Sequence, residues 1–433
     1  MNMKPINRIA LLFALFAAPS AVAAPVIVAD VDSGKVIYAQ QATEPWYPAS
    51  ITKLMTAYVV FKAVDTGKIS FDTPFTMSER ALAQPPSKIA VKVGLQVTVD
   101  NAMKMLMVKS ANDMAVLLAE GVGGSVDGFA DMMNAEAKRL GMRESHFVNP
   151  HGLPDDGNRT SARDMAILAR ALLKDFPKYQ GYFSIDAIKL GGAVMKNHNG
   201  LMGRYPGTDG MKTGFICSSG FNVVATATRG GKRMVVVVLG SPNATERTIK
   251  AANLFDKGFG DSWGGSGSLE ALPASDKTGP PDLRPQICGK NRNRGESEEE
   301  IPEPIEAGAF SENPLLSLFG KASPAAGTVV GANGKGLAPR SAYVPINVFV
   351  GATAATAVAD AVVVGKRKGK RKKTMVAKAK GGAKQQQVAT ADGGKAKVAV
   401  PKGEGDKPAA KAKPKAKSAA LAVKPKTQAV QQR

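Results

Sequence analysis

The chain has 433 residues, 44% of them hydrophobic, and a formal net charge of +22, long enough for two or three domains. Residues 366–433 hold 21 Lys/Arg against three acids, Asp392, Glu404 and Asp406, so the first 365 residues carry a net of only +4 and a wholly basic protein is excluded. Three His and two Cys leave little material for a zinc site, a Cys/His protease or a disulfide-built miniprotein, and neither a metal nor a cofactor is expected.

Residues 1–24 begin with Lys4 and Arg8, continue through an apolar run from Ile9 to Ala18 and end on Ala21-Val22-Ala23. That order is a secretory signal peptide cleaved after Ala23 or Ala24. A membrane anchor is the weaker reading, because a spanning helix needs ~20 apolar residues. The mature chain is therefore expected outside the cytoplasm, where disulfides form and ATP-dependent chemistry is not expected.

Residues 25–263 alternate apolar strands with amphipathic helical stretches and form the part able to bury a large core. Val26–Asp30 and Lys35–Ala39 read as a hairpin turning at Gly34. The spacing of Met103, Leu106, Met107, Met114, Ala115 and Leu118 predicts helix over Asn101–Glu120, with the Met residues as core filler. Gly220–Thr228 and Arg233–Gly240 are Val-rich strands joined at Arg229-Gly230-Gly231. Thr245–Phe259 reads as a closing helix with Ile249, Ala252, Leu254 and Phe255 inward. Residues 264–341, rich in Gly, Pro and acids, read as linker. In 342–365 an apolar stretch precedes a basic run, the order of a stop-transfer anchor. Its nine Ile/Val/Phe contribute roughly −0.3 to −0.6 kcal/mol each and barely offset Asp360 at about +3, so no span is expected, with interfacial association as the alternative. Residues 366–433 contain no aromatic residue and are expected to be disordered.

Three short motifs carry chemistry. Ser50-Ile-Thr-Lys53 opens a helical stretch, which places hydroxyl and amine on one face. A desolvated Lys loses its proton more readily and can serve as base toward a Ser nucleophile. For an isolated match the reading as a helix start with a surface Lys is favoured. Ser110-Ala-Asn112 offers a hydroxyl and a carboxamide, but Ser241-Pro-Asn243 and Ser311-Glu-Asn313 match equally well. Lys212-Thr213-Gly214 leads toward the strand at Gly220, as an edge strand with a cation for a carboxylate and a Gly for close approach. Its second copy, Lys277-Thr-Gly279, is followed by Pro280-Pro281 and cannot begin a hydrogen-bonded strand.

In this order the three motifs resemble the D-alanyl-D-alanine carboxypeptidases, the low-molecular-mass penicillin-binding proteins. The resemblance covers roughly residues 25–260. It extends to Pro48–Thr56, Phe147-Val-Asn-Pro-His-Gly-Leu153, Thr160-Ser-Ala-Arg-Asp-Met-Ala166 and Asp209–Gly214. It implies an α/β (α+β) fold of the DD-peptidase/β-lactamase type, a mainly antiparallel sheet flanked by helices with a helical subdomain.

The resemblance also implies an acyl-transfer cycle on peptidoglycan stem peptides. Ser50 would be nucleophile, Lys53 its base, Ser110 the donor to departing D-alanine, and Asn112 the holder of Lys53 and substrate. Lys212, Thr213 and Gly214 would form the carboxylate site, and the N–H groups of Ser50 and Phe215 the oxyanion hole, where one donor is worth ~3–4 kcal/mol. Arg247 matches an Arg that the family places near the carboxylate pocket. His198 falls near that pocket by alignment, with a structural role as the competing reading. β-Lactams would acylate Ser50. The alternatives are a class A-like β-lactamase, which needs an additional deacylating Glu where the region between Asn112 and Lys212 instead carries the carboxypeptidase pattern of Phe147–Leu153 and Thr160–Ala166 and no convincing Glu, and an anionic-polymer binding protein with a vestigial enzyme domain. For the tail, lipid headgroups or acidic envelope polymers are the expected partners, and nucleic acid is not. Cys217 and Cys288 are either bridged, closing a loop worth on the order of 4 kcal/mol, or two unpaired thiols.

Overall fold

A computed structural model describes residues 24–260, 265, 267–289, 337, 339–358, 361 and 362. The segment expected to be a signal peptide (apart from Ala24) and the basic tail lie outside the described residues.

Strands β1 (Val26–Asp30) and β2 (Val36–Gln40) form the first hairpin. The Val-rich β8 (Gly220–Arg229) and β9 (Lys232–Ser241) form the second, and β7 (Thr208–Ile216) pairs outside β8. Among the described residues these make one antiparallel sheet of order β2-β1-β9-β8-β7, which leaves β7 at an edge. Period-two geometry divides the continuous Val runs between two cores. Val224, Val235, Val237 and Leu239 face the helical layer. Val223, Val236 and Val238 face helix α7 (Ala244–Phe259), whose Ala251, Ala252, Leu254 and Phe255 cover the other side; Ile249 is only partly buried there. Burial on both faces explains why these strands read as unbroken apolar runs.

The helical layer is built round α1 (Lys53–Asp65), which is buried from Lys53 to Phe61 and so shows little amphipathic pattern. A small hairpin of β3 (Pro74–Thr76) and β4 (Gln96–Thr98) brackets the short α2 (Glu79–Leu82). The expected helix Asn101–Glu120 is two helices, α3 (Val99–Val108) and α4 (Asn112–Gly123). Between them Ser110 is left-handed at φ 61, and the Asn112 N–H leaves the helical ladder to bond Ser87 O at 2.8 Å. Apolar spacing continues on both sides of this break, so periodicity alone conceals it. Helices α5 (Val126–Arg139) and α6 (Ala162–Asp175) follow, and then a small pair of strands, β5 (Ala187–Leu190) and β6 (Ala193–Lys196).

The stretch expected as linker contains packed chain. Leu269 is fully buried and its N–H bonds Gly34 O at 3.0 Å. Helix α8 (Arg284–Ile287) leads to Cys288, which is bridged to Cys217 with Cα atoms 5.6 Å apart. The apolar stretch 342–365 also packs on the domain where it is described. Its strand β10 (Ile346–Val348) runs parallel to β5, and Val350 and Ala361 are buried. A segment that adds one strand and a few bridges to existing structure carries no periodicity of its own. No helix among the described residues is long and apolar enough to cross a membrane.

Candidate active site

Ala49–Thr52 forms one 3₁₀ turn that runs directly into α1, so Ser50 and Lys53 stand one turn apart. Lys53 Nζ is 2.9 Å from Ser50 Oγ, donates to Asn112 Oδ1 at 2.7 Å and to His151 O at 3.0 Å. Lys53 is fully buried and Ser50 is half-buried. Asn112, in the first turn of α4, is itself fixed by its Nδ2 donating to Pro85 O at 2.9 Å. Two distant pieces of chain, α1 and the α3–α4 junction, thus meet at one amine.

From the other side β7 closes on Ser50. A Cβ on Gly214 would lie 2.7 Å from Ser50 N and 2.9 Å from Ile51 N, so no other residue lets this strand approach the turn so closely. Asn222, opposite Gly214 on β8, donates through Nδ2 to Tyr47 O at 3.1 Å and Pro48 O at 3.3 Å. The sheet therefore holds the backbone leading to Ser50. Lys212 and Thr213 are buried on β7, with Lys212 Nζ donating to Thr213 O at 2.9 Å. Phe215 stacks on Phe221 with ring centroids 4.1 Å apart. Arg247 is fully buried behind β8; its guanidinium reaches Asn222 O and His198 O, each at 3.4 Å. Its geometry supports the backbone behind the site.

Among the described residues, the buried hydroxyls Ser110 Oγ and Thr213 Oγ1 have no hydrogen-bond partner, nor does Thr52 Oγ1 in the turn that carries Ser50. Native interiors seldom leave such groups unpaired unless something else binds there. The backbone is also strained beside both candidate serines, with φ 48 at Ala49 and φ 61 at Ser110. Left-handed geometry costs an L-residue roughly 1–2 kcal/mol, and such cost concentrates at functional sites.

Burial, and next the Lys53 charge, push the His151 imidazole down to about 3. Its Nδ1 accepts from Leu153 N at 3.1 Å, which places the proton of the neutral ring on Nε2. Burial raises the Asp113 carboxyl, opposed by the N–H groups of Ile89, Ala90 and Met114. Through these bonds Asp113 fixes the loop whose Pro85 and Ser87 carbonyls hold Asn112.

The longer matching stretches acquire physical roles. Phe147–Leu153 supplies Pro150 O to Thr56 Oγ1 at 2.6 Å, as well as His151 O. Its Gly152, at φ 77, lies so near the Ala49–Thr52 turn that a Cβ would be 1.8 Å from Ala49 O. In Thr160–Ala166, Thr160 exchanges backbone bonds with Trp46, and Arg163 Nε donates to Leu269 O at 2.7 Å. Burial, and then neighbouring Glu144, push the Asp164 carboxyl up to about 7. Of the decoys, Asn243 merely caps α7, accepting from Glu246 N, and Ser311 and Asn313 lie outside the described residues. Sequence reading missed Asn222 and the carbonyls of Pro85, Ser87 and His151. A backbone carbonyl leaves no signature in residue type, while Asn222 is a polar residue inside a Val-rich strand and was a visible signal.

A family model described as D-alanyl-D-alanine carboxypeptidase, the S11 peptidases, matches residues 15–243, and the chain belongs to that family. It is 36% identical over 234 residues to the D-alanyl-D-alanine carboxypeptidase DacF of Bacillus subtilis, covering 53% of this chain and 60% of that protein. The chain thus matches less than two thirds of that curated relative's length. Penicillin binding protein 5 from Haemophilus influenzae aligns with TM-score 0.53 and 33% identity over 56% of this chain and 72% of that one. Penicillin-binding protein D2 from Listeria monocytogenes, in its cefotaxime-bound form, aligns with TM-score 0.50 and 31% identity over 54% of this chain and 96% of that one.

Proposed function

We propose that this chain is a serine-type D-Ala-D-Ala carboxypeptidase acting on peptidoglycan stem pentapeptides, with residues 25–263 as its catalytic part. The observation that carries the reading is the placement of Lys53 Nζ among Ser50 Oγ, Asn112 Oδ1 and His151 O. The two carbonyl oxygens only accept. A neutral amine that gives its two N–H bonds to them keeps its lone pair for the Ser50 proton. Its surroundings thus pre-orient it as a base.

Ser50 Oγ attacks the carbonyl carbon of the D-Ala-D-Ala bond as its proton passes to Lys53. The negative charge on the carbonyl oxygen is met by the N–H groups of Ser50 and Phe215. The C–N bond then breaks, the D-alanine amine takes a proton through Ser110, and an ester on Ser50 remains for water to hydrolyse. The unpartnered Ser110 and Thr213 hydroxyls suit a ligand that completes their bonding. Lys212, Thr213 and Gly214 receive the terminal carboxylate, and β7 is an edge strand with backbone groups available to an extended peptide. Arg247 supports this pocket from behind.

β-Lactams share the D-Ala-D-Ala geometry and acylate Ser50. Their turnover is slow: of the three Glu between Asn112 and Lys212, Glu136 is paired with Lys62 and Arg139, Glu144 faces Arg163, and Glu120 lies near the end of α4 remote from Asn112. The enzyme works in the periplasm or cell envelope after signal cleavage. Its tail associates with anionic headgroups or envelope polymers in a salt-dependent way. The test is Ser50→Ala in the full chain, which abolishes both D-alanine release from a stem pentapeptide and labelling by fluorescent penicillin. Retained release overturns the reading, and rapid penicillin hydrolysis by the unaltered protein favours a β-lactamase.

A further inference from the structure

The turn Asn197–Asn199 lies between β6 and β7 and is buried although it consists of three polar residues. Its shape rests on hydrogen bonds. Asn199 Nδ2 donates to Gly210 O at 2.9 Å, two residues before Lys212, while Asn197 Oδ1 accepts from Asn199 N at 2.9 Å within the turn. Its three successive carbonyls all meet guanidinium groups. Arg247 Nη2 approaches His198 O at 3.4 Å, and Arg340 Nη2 donates to Asn197 O at 3.2 Å and Asn199 O at 2.9 Å.

Arg340 lies well beyond residue 243, where the family match ends. Its backbone is anchored to the domain. The next residue, Ser341, donates its N–H to Gly203 O at 2.8 Å, and a few residues later β10 joins β5. One guanidinium nitrogen, Nη2, meets both carbonyls, so a single rigid planar group ties the two ends of the turn together, where the ammonium of a flexible Lys stem is less pre-organised.

We propose that Arg340 is a positioning residue for the carboxylate-binding strand: it acts from the C-terminal extension to fix the Asn197–Asn199 turn, and through Asn199 the approach of β7 at Lys212. This deepens the carboxypeptidase reading and rests on it for its kinetic consequence. Arg340 touches no reacting atom, so it governs capture of the substrate and leaves the ester chemistry at Ser50 unchanged.

The test uses the full chain with Arg340→Ala and Arg340→Lys. Loss of two charge-assisted bonds is expected to speed amide hydrogen exchange in Ala193–Leu201 about 10-fold, and to lower the second-order rate of Ser50 acylation by fluorescent penicillin about 10-fold. The first-order deacylation rate stays within about twofold, because that step takes place at Ser50. Arg340→Lys restores part of both effects. Unchanged exchange in Ala193–Leu201, or acylation at the unaltered rate, overturns the proposal. An unaltered protein that fails to acylate overturns the carboxypeptidase reading instead, while the exchange measurement still decides whether Arg340 clamps the turn.

Discussion

Ser50 and Ser110 both stand beside strained backbone, yet the molecule holds the two corners by different means. At Ser50 the fastening is steric. Gly152 presses on Ala49 from one side, and Gly214 presses on Ser50 and Ile51 from the other. At Ser110 it is polar, with Asp113 gathering the N–H groups of Ile89, Ala90 and Met114 so that the loop before them can hold Asn112. In the proposed mechanism the nucleophile must meet a carbonyl carbon within a few tenths of an ångström, whereas the relay hydroxyl needs mainly a direction. Close packing gives the first kind of precision and hydrogen bonding the second.

The sharpest way to break the steric corner is Gly152→Ala. A Cβ 1.8 Å from a backbone oxygen at φ 77 forces the nucleophile turn to move, and the expected cost exceeds about 4 kcal/mol, read as lost thermal stability or lost folded yield. Next is acid. In the native chain His151 takes up its proton only near pH 3, against 6.5 as its ordinary value, so the unfolded chain binds more protons in between. Stability from this group is complete above about pH 6.5 and is lost as pH falls toward 3, by on the order of 4 kcal/mol. His151→Asn should remove that part of the slope; parallel stability–pH curves for the two proteins would refute the assignment.

For the polar corner, Asp113→Ala leaves several buried N–H groups unpaired and should cost about 3 kcal/mol in denaturant unfolding. The smallest effect compares two buried alanines. Ala57→Gly, in the middle of α1, should cost about 2 kcal/mol through helix propensity and the lost methyl. At Ala49 release of left-handed strain offsets the same losses, and the net change should stay within about 0.5 kcal/mol. Equal destabilisation at the two positions would mean that Ala49 carries little strain.

Much of this site was legible because its parts are local. A Ser and a Lys three apart on a helix share a face whatever the rest of the chain does, and the hairpins announced themselves through Gly and Val. The edge position of Lys212 followed from the strand sequence that surrounds it. The break at Ser110 was hidden by apolar spacing that continues past it. The holding of Asn112 by Pro85 and Ser87, and of Lys53 by His151, works through backbone carbonyls that every residue possesses. The packing of Leu269, Cys288 and Val350 depends on surfaces formed by chain far away, for which the local pattern has no symbol.

The bridge between Cys217 and Cys288 joins the turn after β7 to the end of α8. It closes a ring across a sequence separation of 71, and that ring contains β8, β9 and α7. One proteolytic cut inside that ring opens it without releasing a fragment. A nicked molecule keeps its mass on a non-reducing gel and separates into two pieces only when reductant is added.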